Sequence, residues 1–101
     1  MQTDDEFVQA LEACTLPASA FTHAGHVRAA WWYLRTYPLG EAIDRFRSAL
    51  RGYATSLGAA GKYHDTVTVA WLLLIEERLG DGARELDWPV FAGRYPELFQ
   101  R

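Results

Sequence analysis

Between Thr22 and Tyr37 the chain places Ala24, Val27, Trp31 and Leu34 three, four and three residues apart, and Pro38 follows directly. Apolar residues at that interval line one face of an α-helix, whereas a half-buried strand needs them at every second position. Proline then ends the helix, because it lacks an N–H donor and its ring clashes with the preceding turn. The same period returns in Ile43, Phe46, Leu50, Tyr53 and Leu57, predicting a helix from Leu39 to about Leu57. A further helix is predicted from His64–Thr66 to Leu79, with Gly80 as its C-cap and Trp71, Leu74 and Ile75 as core residues. Upstream, Thr3-Asp-Asp-Glu6 has the form of a capping box and opens a short helix through Phe7, Val8 and Leu11 that ends before Pro17. No stretch alternates as a strand would. The expected fold is all-α: a compact bundle of four main helices, with short helical turns in the tail "DWPVFAGRYPELFQR" packed across it.

At 101 residues, half of them hydrophobic, the chain suits one helical domain spanning residues 1–101 with a core of its own. Its net charge of -3 argues against a nucleic-acid-binding surface, which carries a basic excess. The arginines of the third helix, Arg45, Arg47 and Arg51, are interleaved with Glu41 and Asp44 and read as a solvated face. The single cysteine, Cys14, offers no internal disulfide and is expected to be a small buried residue. A lone thiol and an acidic N-terminus without signal-peptide features lead us to expect a cytoplasmic protein. No membrane partner is expected, since the longest apolar run, Val69 to Ile75, is too short to span a bilayer.

The three histidines all fall at the approaches to two similar segments, "FTHAGHVRAAWWYL" and "KYHDTVTVAWLLLI". Aligned forty positions apart, Val27, Ala30, Trp31 and Leu34 match Val67, Ala70, Trp71 and Leu74, which raises a helix-pair pseudo-repeat as one reading. His23 and His26 are neighbours on one helix surface, and His64 opens the other helix on the face it shares with Thr68, Trp71 and Ile75. If the two helix starts converge, the three rings could hold one divalent transition metal (Zn, Fe, Ni or Cu) with an open position. The N–H groups of a helix start also favour an anionic ligand. Lys62, Thr68 and Arg28 are then candidate ligand-binding residues, and Tyr63 and Thr66 candidate catalytic ones. Arg28 lies about 200° around the helix from His26, so an ion pair is its default role.

The two segments resemble those of small bacterial helical proteins of unknown function that share F-x-H-x-x-H-x-R-x-A-W and K-Y-H-x-T-x-T-x-A-W. The matching residues are Phe21, His23, His26, Arg28, Ala30 and Trp31, then Lys62, Tyr63, His64, Thr66, Thr68, Ala70 and Trp71. The resemblance implies that these polar residues belong together and attaches no activity to them. Three readings stand at this point. One is a metal-dependent enzyme acting on a small anionic substrate, and another is a metal-free ligand-binding pocket. The third is a non-catalytic interaction or dimerisation module, with a homodimer as its expected assembly, if the tail aromatics Trp88, Phe91, Tyr95 and Phe99 are exposed.

Overall fold

The computed structural model describes residues 2–100, apart from the side chain of Asp81. Five α-helices follow one another: α1 (Asp4–Glu12), α2 (His23–Thr36), α3 (Leu39–Ser56), α4 (Asp65–Arg78) and α5 (Trp88–Arg94). Short 3-10 turns occupy Ala18–Ala20, Ala60–Lys62 and Pro96–Phe99, and a π-helical turn spans Leu79–Ala83. The all-α expectation holds. No helix among the described residues is long and apolar enough to cross a membrane.

Local chemistry explains where the first helices begin and end. The Thr3 hydroxyl accepts from the Glu6 amide while the Glu6 carboxylate accepts from the Thr3 amide, so both strands of the capping box form. Thr22 caps α2, and Tyr37 ends it one residue ahead of Pro38, which in turn caps α3. Two expectations at helix ends are corrected. Helix α4 does not stop at Gly80: the backbone runs on through the π-turn, and Gly82, at φ +84°, takes the left-handed position. Cys14 is exposed, not buried, and adopts φ +60° just after the C-cap of α1.

Helix α2 is the centre of the molecule, packed against α1, α3, α4 and the last 3-10 turn. Val27, Ala30, Trp31 and Leu34 are all buried in it, together with Tyr33. Around them lie Leu11 of α1, Phe46 and Leu50 of α3, Leu72 and Ile75 of α4, and Phe91 and Leu98 from the tail. The tail forms the expected short helical turns. Asp87 caps α5 by accepting from the Val90 amide, and the Trp88 and Phe91 rings pack on Trp31 at 5.3 and 6.3 Å. Phe91 is fully buried and Trp88, Tyr95 and Phe99 are partly so. These aromatics pack on the core, with Trp88, Tyr95 and Phe99 keeping part of their surface open.

The two similar segments use their shared pattern differently. Val27 and Ala30 are buried, whereas their counterparts Val67 and Ala70 are exposed, and Trp71 and Leu74 are only half-buried. The residues of α4 that enter the core are Leu72, Ile75 and, just beyond the helix, Leu79.

Candidate functional site

The starts of α2 and α4 meet α3 around a cavity of about 570 Å³. Its lining includes His23, His26 and His64, so the structure brings all three histidines to one chamber. Lys62, Tyr63 and Thr68 line it too. Apart from Thr22, the remaining walls are apolar or aromatic, among them Phe21, Val27 and Ala30 on the α2 side, Phe46, Leu50, Tyr53 and Leu57 on the α3 side, and Val67, Trp71 and Ile75 from α4. Two expected site residues lie elsewhere. Arg28 turns to α1, where its Nε donates to Asp4 Oδ1 at 2.8 Å. Thr66 is exposed and off the cavity.

Each histidine is held by its surroundings. His26 donates from Nδ1 to the Thr22 carbonyl at 2.9 Å and stacks on Phe21 with ring centroids 4.0 Å apart. His23 donates from Nε2 to the Leu98 carbonyl at 2.9 Å and meets the Trp71 ring edge-on at 4.9 Å. A carbonyl can only accept, so these two bonds assign the proton to Nδ1 in His26 and to Nε2 in His23. Gly25 makes the arrangement fit, since a Cβ there would sit 3.2 Å from the Ala20 carbonyl and 3.3 Å from the Phe7 ring. His64 is the N-cap of α4 without a side-chain capping bond, and its carbonyl accepts from both the Thr68 amide and hydroxyl. Among the described residues, no group of three or more His, Cys, Asp and Glu side chains converges to hold a metal ion.

The His23 bond also has a structural consequence. It ties the first turn of α2 to the buried carbonyl of Leu98, so His23→Ala leaves that acceptor unpaired. The expected cost is about 1–3 kcal/mol. Chemical denaturation would measure it, and faster amide exchange confined to residues 96–99 would place the loosening.

Beside the cavity mouth stands a network that sequence reasoning missed. Asp65, the first residue of α4, accepts from Arg47 Nε and Nη2 at 2.7 and 2.9 Å, from Arg51 Nη2 at 3.2 Å, and from the Tyr63 hydroxyl at 2.7 Å. The Arg51 guanidinium also lies 5.4 Å from the Tyr63 ring centroid. The one available signal was the Arg47/Arg51 spacing of four, which puts both guanidinium groups on one face of α3. The hydrogen bonds from Arg47 and then Tyr63 hold the Asp65 carboxyl below its ordinary value of 3.8. Burial first, and the bond to Asp65 second, push the Tyr63 phenol upward.

A depressed carboxylate stabilises the fold above its unfolded-state pKa and loses that contribution as pH falls through the lower folded-state value. The α3–α4 link is therefore expected to weaken below about pH 3.8. Asp65→Asn should lower stability at neutral pH and flatten this acid limb, a difference that denaturation midpoints taken from pH 7 to pH 2 would reveal. Equal slopes in the two proteins would remove Asp65 from the account.

Lys62 lines the cavity, and Arg47 and Arg51 stand behind its Tyr63 wall, both bound to Asp65, with Asp44 also 3.9 Å from Arg47. Compared with known protein families, curated proteins and solved structures, the chain gives no match. The functional reading therefore rests on the residues of this chamber alone.

Proposed function

We propose that the chain binds a small organic anion whose apolar body enters the cavity and whose charged end stays at the mouth. The observation that carries this is the cavity itself. Its volume of about 570 Å³ is that of a small-molecule site, and apolar walls with a few polar groups at one end are what such sites use. Lys62 and His64, both lining residues, supply the donors at that end. Tyr63 positions Asp65 by donating its hydroxyl, and Thr66 is remote, so the reading is one of binding with no catalytic group assigned.

Octanoate is a suitable probe. Each buried methylene contributes about 0.8 kcal/mol, so its chain gains roughly 5 kcal/mol before the cost of association is subtracted. Calorimetric titration is expected to show saturable binding of octanoate and none of octylamine, which has the same body and the opposite charge. Lys62→Ala is expected to weaken octanoate about tenfold, the loss of one charge-assisted hydrogen bond. Equal binding of the amine, or no heat with octanoate and other apolar carboxylates, would sink the reading.

A second reading keeps a divalent metal at the histidines that line the cavity, His23, His26 and His64, which would have to draw together on it, since they do not converge as they stand. It draws on the two carbonyl-held rings, because a metal-ligating imidazole ordinarily donates its other N–H to a carbonyl or carboxylate. Elemental mass spectrometry of the untagged protein and of a folded triple His→Asn variant tests it. Near-stoichiometric metal lost in the variant supports it; no metal in either protein overturns it.

A further inference from the structure

Helix α4 carries apolar residues on every side, yet only part of it is covered. Leu72 and Ile75 enter the core, while Val67 and Leu73 are 54 % and 49 % exposed and Ala70 is open beside them. With Glu77 they fall within about 120° of one another around the helix. This apolar strip begins at the cavity mouth, where Val67 is itself a lining residue, and runs up α4 to an acidic end. A helix that is hydrophobic all round is normally covered all round.

We infer that the strip is covered by a second copy of this chain, the two α4 helices packing antiparallel about a two-fold axis near Ala70. Charge selects this occupant. At the start of α4 Lys62 is exposed and Asp65 is held by both Arg47 and Arg51, while at its end Glu76, Glu77 and Glu97 stand against Arg78 and Arg84, with Glu77 exposed and 3.4 Å from Arg78. In an antiparallel pair the basic start of one α4 lies against the acidic end of the other, and the two helix dipoles also oppose favourably. Two-fold symmetry makes each contact occur twice: Val67 meets the partner's Leu73, and Leu73 the partner's Val67. Ala70 at the crossing lets the backbones approach. One helix face buries less than the roughly 800 Å² per partner of a standard interface, so the pair is a reversible dimer. It places the second copy over the cavity mouth without supplying a residue to the chamber.

Sedimentation velocity of the whole chain from micromolar to millimolar concentration tests this. The mass is expected to rise with concentration from one chain to two and no further. Leu73→Glu, at an exposed position where the fold does not depend on leucine, is expected to remain a monomer throughout. Val90→Glu, at an apolar residue of similar exposure on α5, is expected to dimerise as the parent does. Glu77→Lys is expected to raise the dissociation constant about tenfold, and adding Lys62→Glu to restore it. A single mass at every concentration in the parent overturns the inference. So does a dimer that Leu73→Glu leaves intact, one that Val90→Glu also breaks, or a charge reversal that fails to restore association. Circular dichroism of each variant separates these outcomes from unfolding. Octanoate titration of Leu73→Glu, which keeps Lys62 and every other lining residue, tests the chamber separately from the dimer.

Discussion

Phe91→Ala is expected to remove about 3–5 kcal/mol of folding stability, the range for truncating a fully buried aromatic. Phe91 is wholly buried and touches Trp31, Trp88 and Tyr95 with ring centroids 6.3, 6.2 and 5.1 Å away. It holds α5 against the centre of α2, and through Tyr95 the turn that presents the Leu98 carbonyl to His23. A domain of this size has a total stability of about 5–15 kcal/mol, so the variant stands close to unfolding at ambient temperature. A urea titration followed by far-ultraviolet circular dichroism measures the loss. Intact helix content with a midpoint unchanged from the parent would mean that the tail contributes little, and that α1 to α4 stand by themselves.

The tail shows what could be read from the residues beforehand. Two prolines and four aromatics in fifteen residues pointed to short helical turns packed on the bundle, and they form. Their burial was not readable, because burial depends on what the rest of the chain leaves open. Helix α2 was legible in extent from its apolar stripe and the proline just beyond its end, although Ala24, the first residue of that stripe, is exposed and the Thr22 cap went unread. Helix α4 was legible in extent but not in orientation. With Val69 to Ile75 all apolar, its periodicity cannot say which side faces the core. Leu72 was overlooked for that reason, and Trp71 and Leu74 were overrated. Cys14 misled for a different reason. The left-handed residue after a helix is ordinarily Gly or Asn, so a cysteine at φ +60° gives no warning.

The site divides along the same line. Lys62, Tyr63, His64 and Thr68 are close in sequence and emerge together at one helix start, and the histidines of α2 join them because α2 and α4 pack side by side. The angular argument that set Arg28 apart from His26 was enough to send it to Asp4. Thr66 gave no such sign. The α3 wall and the grip of Arg47 and Arg51 on Asp65 arise from contacts 14 to 18 residues apart, across the "LGAAG" connection. No local pattern encodes how two helices turn toward each other after a flexible loop. Arginines interleaved with acids looked like a solvated face, and part of that face grips Asp65 at the start of α4.

Thr68→Trp is expected to abolish octanoate binding, by at least about a hundredfold, while leaving the fold in place. The volume of a tryptophan side chain must go somewhere, and Thr68 lines the chamber on the same side as His64 and Trp71. The position tolerates the change. Thr68 is only half-buried, and its hydroxyl bonds back to the His64 carbonyl at 3.0 Å, a contact that adds little to a helix, and meets the Tyr63 hydroxyl, which keeps its own bond to Asp65. Filling the space removes the room for an apolar body, so the transfer energy of several methylenes is forfeited; about 1.4 kcal/mol corresponds to each factor of ten. Lys62→Ala touches only the charged end and leaves that transfer energy intact, which is why its expected effect is far smaller. Calorimetry with octanoate on both variants, with thermal unfolding alongside, separates body from head. If Thr68→Trp folds and still binds as the parent does, the ligand does not use this cavity. If both variants lose binding equally, the charged contact dominates and the apolar walls serve only to exclude water.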